Sequence, residues 1–507
     1  MILKYFYTKR ENVLLFPFFC ICWLLFGAVV LGQNTLSESA RTAEYYLHCL
    51  ELEQAKPYIE QEKNPLLKVL YGHHALFLNA FVKQEKATFR DFFNRSETLQ
   101  DQAEIHEKHR YYHFVQAEIY LERTIIKVLD QNLVSALNDL RRCYSHAQSL
   151  KKDKNTAMLA DRFSGIFLIA FSAVPKQYKW ALDLFGLEGN LQRGVTELKR
   201  ASEEGELLRA QNRVVLYFVT RNLLAKVEEA GTYIHAFYAK EPSNVLYTYL
   251  YAHNCIDRRD NTQALQVLHQ YLKHHSADHF PFVYNLLGRC HLFQLNYDEA
   301  VRHFDHYHRH FRGVIYRADA YYRKGICYAL QGDKTNAVVC LKRATELTDI
   351  VFDEDKFAQK ESRKHLQRYF SENDLTLLKA RFLLDGGYHA KGKKLLDDFL
   401  KYEEKITSDE KTEVYYRLAR MYDVEKDYSE AKVYYRLTFL QQPTARLWMK
   451  AYAMLFYAVM MEKSGQYAEA QKYFKQALQF DGYDYQPGME QKAKAGLQRI
   501  KPMLKQK

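Results

Sequence analysis

The chain has 507 residues, a formal net charge of +12, 40 Tyr, and only 20 Gly and 9 Pro. Average usage would give roughly 35 Gly and 25 Pro, so turn residues are scarce and a nearly all-α chain is favoured; its length also exceeds what one compact core usually holds. The positive charge is spread out, with no Lys/Arg block, RNP-like motif or finger spacing, which argues against nucleic acid as a partner.

In chain order, Lys4, Lys9 and Arg10 precede an uncharged apolar run from Val13 to Leu31, and a polar sequence opens at Gly32-Gln33-Asn34. That is the order of a signal peptide, with cleavage expected between Gly32 and Gln33. The run is also long enough to span a bilayer, so a single-pass N-terminal anchor is the alternative. Either way most of the chain is expected to be exported, periplasmic or envelope-associated, with membrane association open. Six Cys (Cys49, Cys143, Cys255, Cys290, Cys327, Cys340) follow the leader, far apart and within helical patterns. They read as buried small apolar residues rather than a disulfide framework or a CxxC metal site, although an even number leaves an occasional disulfide open.

Residues 33–208 read as an irregular helical region. Apolar residues at i, i+3, i+4 and i+7 predict helices over Glu44 to Tyr58, Pro65 to Lys83, Gln102 to Leu129 and Asn132 to Gln148. Phe163 to Val174 is strongly apolar and ends at Pro175, which predicts a buried helix and a tight turn; Gly186, Gly189 and Gly194 then punctuate the sequence up to Leu198.

From Arg209 the pattern repeats. Ala252, Ala264 and Leu268 recur at positions 8, 20 and 24 of one unit. Tyr284, Leu287, Gly288, Ala300 and Phe304 mark the next, and Tyr321, Gly325, Tyr328, Ala337, Leu341 and Ala344 a third. A degenerate unit has Leu375, Leu378, Phe382, Tyr388 and Leu395, with Lys391 where a small residue belongs. Tyr415, Leu418, Ala419, Tyr422, Ala431 and Tyr435 mark another unit, followed by Ala458, Ala470, Phe474 and Ala477. These are the aromatic, Leu-Gly and small signature positions of a tetratricopeptide repeat, whose helix pairs bury their apolar faces only by stacking. The expected fold is therefore an all-α solenoid, a right-handed superhelix of antiparallel helix pairs. Repeat-like segments cover 209–349 and 375–490, a charged linker or helix covers 350–374, and a basic cap covers 491–507.

A second resemblance lies in the N-terminal half. Ala117-Glu118 opens an AE-x-x-L-x-R helix that leads into NLVSAL at Asn132 to Leu137, and Gly165 through Pro175 leads to Phe185-Gly186-Leu187-Glu188-Gly189-Asn190 and Gly194-Val195. Both phrases resemble the tetratricopeptide repeat protein 39 family, which includes yeast outer-mitochondrial-membrane and inclusion-clearance proteins. The resemblance implies a non-enzymatic protein, in some relatives associated with membranes or lipid droplets. The export-type leader departs from those relatives.

The repeat resemblance also implies a concave surface lined by the first helix of each pair. Positions 5, 6 and 9 then place Asn285, Leu286 and Arg289, Tyr322, Arg323 and Ile326, and Tyr416, Arg417 and Arg420 on it. Asn285, Arg289, Tyr322, Arg323, Tyr416, Arg417 and Arg420 are candidate partner-binding residues, because guanidinium groups pair carboxylates and Tyr supplies stiff contact area; ordinary solvated polar residues are the plain alternative. Nine of the 20 His lie between His269 and His310, and His303, His306 and His310 share a helix face. A zinc or copper site and a wet or packing surface both fit that spacing, and no metal is assigned. No HExxH, Walker loop, G-x-G-x-x-G or G-x-S-x-G occurs, so no catalytic residue and no cofactor is expected. The sequence points to an interaction scaffold of the cell envelope that binds a protein segment. The alternative, a lipid or hydrophobic-ligand binding protein, rests on the apolar Phe163 to Val174 stretch.

Overall fold

The computed structural model describes residues 36–172, 188–224, 226–350, 352–483 and 486–504. The leader, with its Gly32-Gln33 junction, and the stretch holding Pro175, Phe185 and Gly186 lie outside them. Among the described residues the chain is an all-α solenoid in which consecutive helices pair antiparallel. None of these helices is long and apolar enough to cross a membrane.

The irregular half begins with α1 (Glu38–His48), α2 (Leu52–Gln61), α3 (Pro65–Lys83), α4 (Lys86–Glu104), α5 (Tyr112–Leu129), α6 (Leu133–Lys152), α7 (Ala157–Ser172) and α8 (Leu191–Glu203). The single helix expected over Glu44 to Tyr58 is two, because Leu50 takes a positive φ of 60° between them. The stretch from Gln102 to Leu129 is likewise broken, by turns over 105–111 that separate α4 from α5. The boundaries of α3 match the expectation for local reasons. Asn64 accepts from Leu66 N at 3.0 Å, Pro65 starts the helix, and Gln84 closes it with a left-handed φ of 53°.

The repeating half continues through α9 (Arg209–Phe218), a π-turn at Val219–Leu223, and α10 (Val227–Lys240). Then come α11 (Val245–Asp257), α12 (Asn261–Leu272), α13 (Phe282–Phe293), α14 (Tyr297–His310), α15 (Arg317–Leu330) and α16 (Lys334–Glu346). The chain ends with α17 (Asp353–Gln367), α18 (Glu372–Asp385), α19 (His389–Leu400), α20 (Ser408–Val424), α21 (Tyr428–Leu440), α22 (Leu447–Lys463), α23 (Tyr467–Ala477) and α24 (Gln486–Leu504). Helices pair within each repeat by placing a small residue of the first against a large one of the second. A Cβ built on Gly288 would lie 2.7 Å from two ring carbons of Phe304, so only glycine lets α13 approach α14 this closely. Gly325 meets Leu341 in the next hairpin in the same way. Ala300, Ala337, Ala419, Ala431, Ala470 and Phe474 are fully buried, Tyr284 is nearly so, and Leu287 is also fully buried. Tyr328 and Tyr422 are half-buried at the rim of their hairpins.

Three features depart from a plain stack. In the degenerate unit the small residue is Gly392, one position beyond Lys391, where a Cβ would meet Leu384 at 2.6 Å. The charged stretch around 353–367 is a packed helix, α17, which buries Asp355, Ala358 and Ser362 against α15 and α16. Finally, the α18–α19 turn returns to the α11–α12 turn: Arg259 Nη1 donates to Asp385 O at 3.1 Å and Asn261 Nδ2 to the Tyr388 hydroxyl at 3.0 Å. The apolar interior is correspondingly divided into a long core reaching from Ala40 to Phe382, a second from Leu377 to Met421 and a third from Tyr416 to Ile500. All six cysteines described are free and buried.

Candidate functional site

In this repeat class the first helix of each hairpin forms the inner wall, here α11, α13, α15, α18, α20 and α22. On α17, which packs against α15, Glu354 is exposed, yet desolvation by surrounding protein raises its carboxyl. Tyr249 behaves likewise, half-exposed with its hydroxyl pushed up to about 12 by burial.

Most of the arginines on this wall are neutralised by the chain itself. Arg323 donates to Asp319 at 2.6 Å, one helical turn earlier. Arg417 reaches Glu413 at 3.2 Å, and Arg446 holds the other oxygen of the same carboxylate at 2.6 Å. Arg420 pairs with Asp423 at 2.6 Å while its guanidinium lies 3.8 Å over the Phe456 ring. Burial pushes the Asp385 carboxyl up, but Arg259, Arg417 and Arg381 outweigh it and hold it down to about 2. Tyr322 and Tyr416 are buried, edge-on to Phe357 and Trp448 respectively. Those two rings stiffen the wall, and Arg323, Arg417 and Arg420 are committed to neighbours.

Arg289 differs. Among the described residues it has no ion pair or hydrogen bond, and its buried Nε has no acceptor. One turn earlier, Asn285 is 3% exposed and its Nδ2 is also buried without a partner. The spacing i, i+4 puts both donors on one face of α13. The electrostatic influence of Arg289 reaches Tyr249 and His253 on α11, Tyr316 before α15 and Glu354 on α17, so it faces a space walled by several helices. Two unsatisfied donors, one of them cationic, have the chemistry that pairs with an oxyanion.

The histidine face separates into two groups. His306 Nε2 stands 2.8 Å from Asp278 Oδ1, and the His310 ring stacks on His306 at 4.5 Å. His303 turns the other way, stacking parallel to His291 of α13 at 5.2 Å. The sequence face held only residues of α14; His291 and Asp278 come from outside it and had no local signal.

A buried network in the irregular half also went unseen. Arg162 of α7 donates Nε and Nη2 to the two oxygens of Glu118 at 2.9 and 2.7 Å and Nη1 to Asn212. Glu122 lies between His73 and His74, its carboxyl raised to about 7 by burial against the pull of His73. The AE-x-x-L-x-R phrase supplies both carboxylates, while their partners lie 44 to 49 residues away in sequence. The apolar stretch behind the lipid reading is packed here too: Phe163, Ile166, Phe167 and Phe171 are all buried in the main core.

Residues 318–349, 412–437 and 451–484 match the family model described as tetratricopeptide repeat. The chain carries tetratricopeptide repeats. These matches fall on the α15–α16, α20–α21 and α22–α23 hairpins, and repeats of this class stack into concave surfaces that mediate protein–protein interaction. No curated protein matches the chain in sequence. Among solved structures, a monomeric mutant of IFIT1 with Gppp-AAAA aligns at 11% identity over 87% of this chain and 95% of that one, with a TM-score of 0.32. The human IFIT1 dimer with m7Gppp-AAAA aligns at 12% identity over 88% and 96%, with a TM-score of 0.32. The tetratricopeptide domain of P58(IPK) aligns at 13% identity over 86% and 98%, with a TM-score of 0.23.

Proposed function

We propose that the protein is a non-enzymatic scaffold that holds an acidic segment of a partner protein against its concave wall, with Arg289 and Asn285 of α13 as the anchor. The observation that carries this is the contrast along the wall. Arg323, Arg417 and Arg420 are bonded to counter-charges, whereas Arg289 feels Asp319 without bonding it, and both Arg289 and Asn285 keep a buried donor with no acceptor. A carboxylate from outside would satisfy both, and the flanking Tyr249 and Tyr316 would supply stiff contact area. The paired arginines set the shape of the wall and suppress non-specific anion binding. We further propose that the scaffold works at the cell envelope, exported or anchored by residues 1–32, whose basic start and apolar run support this. The likeness of the N-terminal half to the tetratricopeptide repeat protein 39 family is in keeping with a role beside a membrane.

The test is capture of the tagged full-length chain from gently solubilised cells, comparing the parent with Arg289→Ala and, as a control on the outer surface, Arg343→Ala. A near-stoichiometric protein that survives Arg343→Ala and is lost with Arg289→Ala supports the proposal. Equal recovery of the same proteins with both variants overturns it. N-terminal sequencing of the mature chain tests the leader: a start at Gln33 means cleavage, and an intact Met1 in the membrane fraction means an anchor.

A further inference from the structure

We infer that His291, Glu299 and His303 form a binding site for one divalent transition-metal ion of the zinc type, across the α13–α14 hairpin. Each residue offers a ligand atom, and the three atoms lie within 4.8 Å of one another. Glu299 and His303 are one turn apart on α14, and Nε2 of His303 is 3.9 Å from the Glu299 carboxylate. Their ligand atoms would close to about 3.3 Å apart around a tetrahedral ion with bonds near 2.0–2.1 Å. That needs side-chain rotation only.

Two observations beyond proximity point to a ligand. His291 is 7% exposed and His303 8%, yet both ring nitrogens of His291 and Nε2 of His303 are buried with no hydrogen-bond partner. Buried imidazoles normally satisfy at least one nitrogen, and leaving three such atoms bare is costly unless something else fills the role. The two rings stack with planes only 8° apart, so their nitrogens can be presented side by side. His269 of α12 stands edge-on to His291 with centroids 5.6 Å apart, outside the three-residue group, so a water would complete the fourth position. Arg302 now occupies Glu299, but its side chain is 66% exposed and can swing into solvent.

The neighbouring Asp278, His306 and His310 also lie within ligand range. There, however, Asp278 is already engaged by His306 and by the Tyr284 hydroxyl, and two of the three residues are exposed. Two imidazoles and a carboxylate suit zinc, and cobalt(II) reports the same geometry through its visible bands. Bound there, the ion would pin the two helices of one hairpin together, on the side of α13 turned away from Arg289.

The experiment titrates chelator-treated full-length protein with Zn2+ by calorimetry and with Co2+ by absorption. One equivalent should bind, with tetrahedral-type cobalt bands, and the melting temperature should rise. Glu299→Gln and His303→Gln should each weaken binding at least tenfold, while the double variant His306→Ala, His310→Ala keeps it. Glu299→Gln preserves shape at a half-exposed position, so circular dichroism can confirm that its loss of binding is not a loss of fold. No binding to the parent chain overturns the inference. So does binding that survives Glu299→Gln and His303→Gln, or that vanishes with the His306, His310 double variant.

Discussion

The two halves of this solenoid are held in different ways. Up to about α9, neighbouring helices are fixed by singular polar contacts in the interior, of which the Glu118–Arg162–Asn212 cluster is the largest. Beyond it, packing repeats: a Gly or Ala on one helix receives Phe or Leu from the next, as with Gly288 and Phe304, then Gly325 and Leu341. The first device fixes one arrangement and resists substitution; the second is modular and tolerates variation outside its small positions. The difference also bears on the proposed recognition, because a wall built from repeats can leave a donor such as Arg289 without an acceptor, whereas Glu118 and Arg162 of the irregular half are paired with each other.

The comparison breaks most severely at the buried ion pair. Glu118→Ala should strip Arg162 of its bidentate carboxylate in the core and destabilise the protein by about 3–5 kcal/mol, read by denaturant unfolding. Replacing both partners, as Glu118→Leu with Arg162→Met, should recover much of that loss. A single substitution costing less than about 1 kcal/mol would mean the irregular half is not held by this cluster. In the repeat half the corresponding lesion is Gly288→Ala, expected to cost about 1–3 kcal/mol by overpacking against Phe304. Gly332→Ala, at a φ of 83° in open space, should cost about 1 kcal/mol from backbone strain alone. If the two glycines respond equally, close helix approach is not what organises the repeats.

Acid tests both halves together. Burial lowers His146 and His365 to about 4, and does the same to His308. Each ring is therefore neutral in the fold at pH values where the unfolded chain, near 6.5, takes up a proton. For these rings the unfolded state binds more protons, so their contribution to stability rises with pH through roughly 4 to 6.5. Such rings outnumber the carboxyls raised by burial, such as Glu122, whose contribution runs the opposite way. A thermal melt should show a clear drop between pH 7 and pH 5, and His365→Gln should flatten part of it; a melting temperature independent of pH would rule this out. The smallest effect should come from the exposed pair Lys393–Asp397, where Lys393→Ala should cost under about 0.5 kcal/mol.

How much of this was legible follows from the range of each signal. Signature positions such as Ala300 and Phe304 lie within one hairpin, and a local pattern reveals them. Gly392 was missed by one position because Lys391 was read at the fixed repeat spacing, while the small residue that packs on Leu384 follows it. Glu118 stood out as part of a phrase, but its partner is 44 residues away on a helix whose register no local pattern sets. The arginines of the wall were placed by repeat position, yet which of them would be free depended on Asp319, Glu413 and Asp423 lying within one turn; reading i, i+3 and i, i+4 acids beside each Arg would have singled out Arg289. The histidine face was visible on α14, but the ring that completes it, His291, belongs to α13.

The contact between the α11–α12 and α18–α19 turns gives the molecule a mechanical property that an open stack lacks. Solenoids behave as springs because each unit touches only its neighbours. Here Arg259 and Asn261 clasp Asp385, Gly386 and Tyr388 across 125 to 127 residues. Tension applied at the ends would be carried through this clasp, so the hairpins from α12 to α18 should stay slack-free and shielded until it parts. Pulled by its termini, the protein should yield first at the outer helices and then release that whole loop in one step, rather than paying out unit by unit.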